Sequence, residues 1–348
     1  MSLPIQLNKT GSMLPQRSPR LWFLTGNTRA SNSLTRLRWS TIGRRNYQSL
    51  ETWIPQVKAK CTTQHDQPTS TQLRLLGVTL DSPFTQALST PQAVVPPNWH
   101  LIYFPDYVTE AQLSSDGYDA MYAPPSPFDH RVWAGGQLEW SANNSLRVGQ
   151  SATLTTECEN VEVKESARLS QLVLVNLKRT VANETGWALT ERRTLAYMVP
   201  PTNRAQSSKP STRRTSSRQA DFSETVHPTE IMLFRYSALT FNSHRIHYDQ
   251  PYATQVEGHP GILVHGPLTC TLLLHLVAKQ LASTKSQQEY LQNGFPFHRF
   301  TYRALSPLVV NQPFTLGGKW SSTSQKTCEL WVTNHQGGLA MAGTLELY

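Results

Sequence analysis

The stretch 268–281, LTCTLLLHLVAKQL, is apolar on nearly every side of a helix. A helix of that kind has no face to turn to water and must be enclosed. It is introduced by His265-Gly266-Pro267, where Gly266 can cap and Pro267 suits the first helical position. A bilayer span needs roughly twenty apolar residues, and here His275 and Lys279 also interrupt the run. The expectation is a single helix wrapped by sheet.

A polar cluster precedes this helix: Asn242, His244, His247 and Asp249, after a run at Tyr236–Phe241 that reads as the end of an extended segment. An imidazole titrates near neutrality, so it can take a proton and return it. Asp249 lies two residues beyond His247 and is placed to orient its ring or tune its basicity. The helix start at Gly266 offers backbone N–H groups and the positive end of a dipole, where negative charge developing on a carbonyl oxygen is stabilised. A base and an oxyanion site therefore lie close together in sequence. His244 and His247 would suit a metal if they lay on a helix, with Asp249 nearby. The strand-like neighbours and Pro251 argue against helix there.

The run Thr240-Phe241-Asn242-Ser243-His244-Arg245-Ile246-His247, with Ala253 downstream and Val264-His265-Gly266 at the helix start, resembles the MaoC-like, second-type hydroxyacyl-thioester dehydratases. In wording it is most similar to the fungal mitochondrial group and to bacterial relatives that hydrate branched dicarboxylic acyl-CoAs. The Trp133-Ala134-Gly135-Gly136 motif resembles one that recurs in the fungal group.

The resemblance implies an α+β double hot-dog fold: two antiparallel sheets, each wrapping a helix, joined edge to edge in one chain. It implies reversible dehydration of (3R)-3-hydroxyacyl thioesters to trans-2-enoyl thioesters in mitochondrial fatty-acid synthesis. The substrate would ride on acyl carrier protein or CoA. Loss of water transfers no electrons between molecules, so no cofactor is expected. The catalytic positions would be His247, Asn242, Asp249 and His244, with substrate held by Gly266, His265, Trp133 and Gly135. The glycines after Trp133 would either let the thioester or its pantetheine arm approach the backbone, or form a turn or bulge.

The pattern departs from the family at two positions. The family's Asp, five residues before the His, is Asn242 here, and the family's Asn is His244. An amide holds a water but is no base. Either the roles pass to His247, His244 and Asp249, or the site binds acyl groups without turning them over. A dicarboxylic acyl-CoA is a further substrate reading. It requires an inward arginine, with Arg131, Arg235, Arg245, Arg299 and Arg303 as candidates.

The net charge of +9 suggests nucleic acid until it is located. Residues 1–47 hold Lys9 and seven arginines and no acidic residue, while the remaining 24 basic and 23 acidic residues nearly cancel. An Arg-rich, Ser/Thr-rich, acid-free leader has the marks of a mitochondrial transit peptide, here ending near Gln48 and addressing the matrix. A generic basic arm is the competing reading. Neither a nucleic-acid partner nor a membrane span is expected, and a homodimer stays open. The four cysteines, at 61, 158, 270 and 328, show no metal-ligand spacing. No phosphate loop, nucleotide-binding glycine motif, nucleophile elbow or His-Glu-x-x-His is present.

The chain divides into residues 48–199, a first hot-dog-like domain; 200–230, a disordered basic linker; and 231–348, a second domain carrying the site. Residues 48–65 read as a helix, and Pro-rich 81–105 cannot sit in a regular ladder. Leu146–Leu154 (LRVGQSATL) aligns with Leu308–Leu316 (LVVNQPFTL), and a long hairpin is expected after each. That points to two copies of one domain with one working site, the first copy supplying the opposing wall.

Overall fold

The computed structural model describes residues 41–166, 170–199, 218–283 and 286–348. Residues 1–40, which hold most of the expected transit peptide, and residues 200–217 of the expected linker lie outside the described residues.

Ten strands form one antiparallel sheet in the order β1-β3-β4-β5-β2-β7-β10-β9-β8-β6. The first half comprises β1 (Cys61–Asp66), β2 (His130–Trp140), β3 (Ala152–Ser166), β4 (Ser170–Asn183) and β5 (Gly186–Met198). The second comprises β6 (Phe222–Val226), β7 (Phe297–Ala304), β8 (Phe314–Trp320), β9 (Thr327–Asn334) and β10 (Leu339–Leu347). Read outward from the seam between β2 and β7, each half repeats the other's order. The seam is a continuous ladder, Gly135 facing Arg303 and Glu139 facing Arg299.

The aligned nonapeptides sit at equivalent places. Each leads into a long hairpin strand, β3 or β8. Each also takes up one earlier loop residue, since Val95 N–H donates to Leu146 O at 2.8 Å and Val264 N–H to Leu308 O at 2.9 Å. This is the double hot-dog arrangement, with the two sheets merged into one.

The helices break the symmetry. Helix α1 (Thr41–Lys58) covers β3 and its neighbours, seating Leu50 and Val57 against Val173, Val175 and Leu177. The short helices α2 (Ser70–Thr79) and α3 (Glu230–Leu239) are equivalents and pack together. Each is capped by a threonine hydroxyl: Thr69 accepts from Gln72 N–H and Thr229 from Met232 N–H. Among the described residues the long helix α4 (Gly266–Ala282) has no counterpart in the first half, and every side chain from Leu268 to Ala278 on it is buried. It rests on β6, β8 and β9, and Lys279 pairs with Glu224 where it emerges. The last helix, α5 (Gln287–Asn293), precedes β7.

In the first half the short turns Ala87–Ser89 and Trp99–Ile102 lie between α2 and β2, the interval of the chain that holds α4 between α3 and β7 in the second half. They carry Trp99 and Asn98, whose Nδ2 donates to Thr271 Oγ1 of α4 at 2.8 Å. The fully buried Phe84 and Trp99 pack on the His275 ring.

Four expectations need correction. Residues 236–239 are helical, not extended: they end α3, held by the Thr229 cap. The helix expected over 48–65 stops at Lys58, and β1 takes up the rest, pairing with β3. The same helix starts at Thr41, ahead of the expected leader boundary. The linker expected through residue 230 is shorter, because Phe222–Val226 forms β6. An edge strand with alternate residues in water carries too little apolar signal to stand out from its polar neighbours.

Leu273 is fully buried in α4. Leu273→Ala is expected to cost about 2–5 kcal/mol, read as a lowered denaturant midpoint at unchanged slope.

Candidate active site

His247 ends a single helical turn, Arg245–His247. Ile246 anchors that turn in a small cluster with Tyr252 and Leu263. Two bonds then clamp it to the approach of α4: Leu263 N–H donates to Ile246 O at 2.9 Å, and His247 Nδ1 lies 2.9 Å from Leu263 O. A carbonyl can only accept, so Nδ1 carries the proton and Nε2 keeps its lone pair.

The His247 ring stacks on that of His265, with centroids 3.7 Å apart. His265 is wholly buried, and its Nε2 lies 2.8 Å from Ser237 Oγ on α3. Burial holds His247 well below the ordinary imidazole value, helped by the neighbouring His265 and His244 rings. Burial likewise brings His265 down to about 3. Both rings are neutral at physiological pH.

His265 is the residue that precedes α4, so the stacked pair sits against the start of that helix. First-turn N–H groups have no intrahelical acceptor, and Gly266 lies there. A Cβ on Gly266 would stand 3.2 Å from Trp133 Cβ, so the glycine lets Trp133 of β2 close over the helix start. His247, Asn242, Gly266 and Trp133 line one cavity of about 1200 Å³. That exceeds the ~300–1,000 Å³ of ordinary small-molecule sites, as a long acyl thioester arm requires.

The other expected residues fall in different places. Asn242 lines the cavity; its Oδ1 accepts from His244 N–H at 3.0 Å, and the amide NH2 is left for a ligand. His244 is buried at the cavity wall, its Nε2 at 3.4 Å from Asp116 Oδ2 and 3.8 Å from Glu257 Oε1. Its ring meets His247 edge-on at 5.5 Å.

Asp249 does not orient His247. Its Oδ2 accepts from Arg245 Nε at 3.0 Å and Nη2 at 2.7 Å, and its Oδ1 from Tyr252 N–H. Gly135 is absent from the cavity lining. It sits at a bulge in β2 with φ +146°, and a Cβ there would come within 2.5 Å of Tyr302 O on β7. The glycine serves the seam.

Of the candidate arginines, Arg131 and Arg245 line the cavity, while Arg235, Arg299 and Arg303 are absent from its lining. Arg131 is buried, pairs with Asp116 at 3.0 Å and lies over the Tyr118 ring at 3.8 Å. Two further arginines were not foreseen. Arg179 of β4 and Arg193 of β5 also line the cavity and share one buried carboxylate, Glu191. Burial raises the Glu191 pKa, but Arg193 and Arg179 outweigh it and hold the group well below the usual range. Burial and Arg193 together hold Arg179 below its own usual value. Nothing in the sequence singled them out, because Glu191 and Arg193 lie in the polar run Thr190–Thr194 of β5, which reads as solvent-facing. Among the described residues no group of three or more His, Cys, Asp or Glu could hold a metal ion.

The family model described as hydroxyacyl-thioester dehydratase type 2 matches residues 98–310. This chain belongs to that family. Among similar proteins, the mesaconyl-C(4)-CoA hydratase of Chloroflexus aurantiacus is 31% identical over 273 residues, covering 78% of this chain and 89% of that one. The mitochondrial hydroxyacyl-thioester dehydratase type 2 of Schizosaccharomyces pombe is 30% identical over 269 residues, covering 68% and 79%.

Two solved structures share the fold. A MaoC-like dehydratase from Phytophthora capsici matches with TM-score 0.59 at 13% identity, over 84% of this chain and 97% of that one. HtdX of Mycobacterium tuberculosis matches with TM-score 0.57 at 15% identity, over 83% and 100%. This type 2 dehydratase is therefore an enzyme of the hydro-lyase kind acting on acyl thioesters. No helix among the described residues is long and apolar enough to cross a membrane.

The buried neutral His265 links stability to pH. The folded state keeps this ring uncharged down to about 3, whereas the unfolded chain protonates it near 6.5. The contribution is full above the unfolded value and is lost as pH falls from there. Denaturant midpoints should decline as pH falls from about 6.5 towards 4, and less steeply in His265→Gln.

Proposed function

We propose that this chain interconverts (3R)-3-hydroxyacyl and trans-2-enoyl thioesters, with His247 as the proton carrier and the Gly266 N–H as the oxyanion donor. One observation carries this reading: a neutral imidazole with a free Nε2 shares a cavity with the start of a buried helix. In hydration, His247 Nε2 takes a proton from a water also held by Asn242. The water oxygen adds to the β-carbon while the double-bond electrons move onto the thioester oxygen. The Gly266 N–H and the α4 dipole stabilise that charge. The imidazolium then returns the proton to the α-carbon, and burial, by lowering its pKa, makes it a strong acid for that step. Dehydration reverses each transfer. No group but the imidazole needs to gain or lose a proton, so Asn242 in place of a carboxylate is compatible with turnover.

Mitochondrial fatty-acid synthesis in the matrix is the setting we favour, with the acyl group on acyl carrier protein or CoA. The acid-free basic leader and the mitochondrial relative support it. We read residues 48–199 and 231–348 as the two domains, with the β6 strand belonging to the second. A second reading, hydration of a dicarboxylic acyl-CoA, is favoured by Arg131, Arg179 and Arg193 in the cavity wall and by the likeness to a mesaconyl-C(4)-CoA hydratase.

Consumption of crotonyl-CoA, followed by loss of enoyl absorbance, tests the chemistry. His247→Ala should lower kcat about 10²–10⁴-fold with the fold intact; equal rates in variant and wild type would exclude His247 as the proton carrier. Because the base is active when neutral and its pKa is depressed, kcat/KM should hold steady as pH falls through about 6.5. An acid limb centred at or above that pH would contradict the assignment.

A further inference from the structure

The second reading above gains a specific site from two arginines on the cavity that His247 also lines. Arg179 and Arg193 stand on neighbouring strands and are both largely buried, with Glu191 between them. Glu191 Oε2 accepts from Arg179 Nη1 at 2.9 Å and Arg193 Nη2 at 2.6 Å, while Oε1 accepts from Arg193 Nε at 2.9 Å. His100 Nε2 lies 3.5 Å from the same carboxylate, and burial pushes this imidazole down, so it adds no charge at neutral pH. Two fixed cations thus share one anion in a water-poor wall. That leaves an excess positive charge, which is costly unless an anion arrives.

The remaining donors are available. Arg179 Nε and Nη2 and Arg193 Nη1 make no hydrogen bond among the described residues, and both side chains line the cavity. None of the other carboxylates on this cavity forms an ion pair with either arginine among the described residues, although Asp106 acts on Arg179 at longer range. Asp106 and Glu110 are exposed, and Asp106 Oδ1 is taken by Gln64 Nε2. Asp119 accepts from Met121 N–H, and Asp116 belongs to Arg131.

Trp133 sets the distance to the reacting centre. One side of it packs against Gly266 and its indole lies under the Arg193 guanidinium, 4.8 Å from ring centre to carbon. An acyl group whose thioester oxygen meets Gly266 would run along the indole and end at the arginines.

We propose that Arg179 and Arg193, held apart by Glu191, form a subsite for a carboxylate at the far end of a short acyl chain. The preferred substrates are then thioesters of dicarboxylic acids, and Trp133 is the ruler between thioester and carboxylate. This rests on the thioester reading above, and the test separates the two. Binding of two saturated ligands that cannot react, glutaryl-CoA and butyryl-CoA, is measured by calorimetry on the full chain. Wild type should bind glutaryl-CoA at least tenfold more tightly, since a charge-assisted bond contributes roughly 1.5–3 kcal/mol. Arg179→Gln, which leaves the paired bonds of Arg193 to Glu191 in place, should bring the ratio of the two Kd values towards one, and Arg179→Lys should restore part of it. A purely structural role would weaken both ligands alike. Equal affinities in wild type overturn the subsite whether or not enoyl thioesters are hydrated, and so does an undiminished ratio in Arg179→Gln. Glutaryl-CoA selectivity in a chain that fails to hydrate crotonyl-CoA and its carboxylated counterpart glutaconyl-CoA would keep the subsite and defeat the catalytic reading.

Discussion

Everything in this molecule answers to a helix that has no side to give to water. From Leu268 to Ala278, α4 is buried all round. One half-sheet can wrap only part of it. The remainder is closed by α3 and, from the other half of the chain, by Trp133 and the turns carrying Asn98 and Trp99. That enclosure also creates the reactive end. A helix start sealed from solvent keeps its unpaired N–H groups and dipole unscreened, and exclusion of water keeps the His247–His265 stack uncharged well below the ordinary imidazole value.

The missing helix of the first half matters as much as the present one of the second. Two fully packed hot-dog units would fill the space between them. Here, among the described residues, short turns stand between α2 and β2 in place of a long helix, and a cavity of about 1200 Å³ is lined by both halves. Part of its lining comes from β4 and β5. Leu195 on that lining is apolar, while Arg179 and Arg193 are charged and share Glu191. Burial of such a group is tolerated because the three satisfy one another in part.

The sequence revealed what depends on local pattern. The α4 run, its Gly-Pro start and the His247 cluster were legible because each is encoded within a few neighbouring residues. The duplicated order of strands could be read from the paired nonapeptides. What escaped was set through space. Asp249 sits near His247 in sequence, yet the nearer guanidinium is that of Arg245, four residues back, which the i,i+4 spacing could have suggested. Gly135 looked like a place for a ligand, and the strand across the seam occupies it. The Glu191 cluster was invisible because a charged residue in a strand ordinarily marks the solvent side; here that side faces a chamber. Ser237 and the α3 helix that carries it gave no sign of their contact with His265, since nothing in an isolated segment reports its distant partner.

The palindromic strand order has a consequence for how such a chain can change. In a dimer of identical subunits, any substitution is made twice, once at each symmetry-related position. A residue improved for holding a ligand would then also appear beside the other base. Covalent fusion frees the two halves from that constraint. The half without α4 can alter its wall, position by position, while the half with His247 stays fixed, so specificity and chemistry drift independently along one polypeptide.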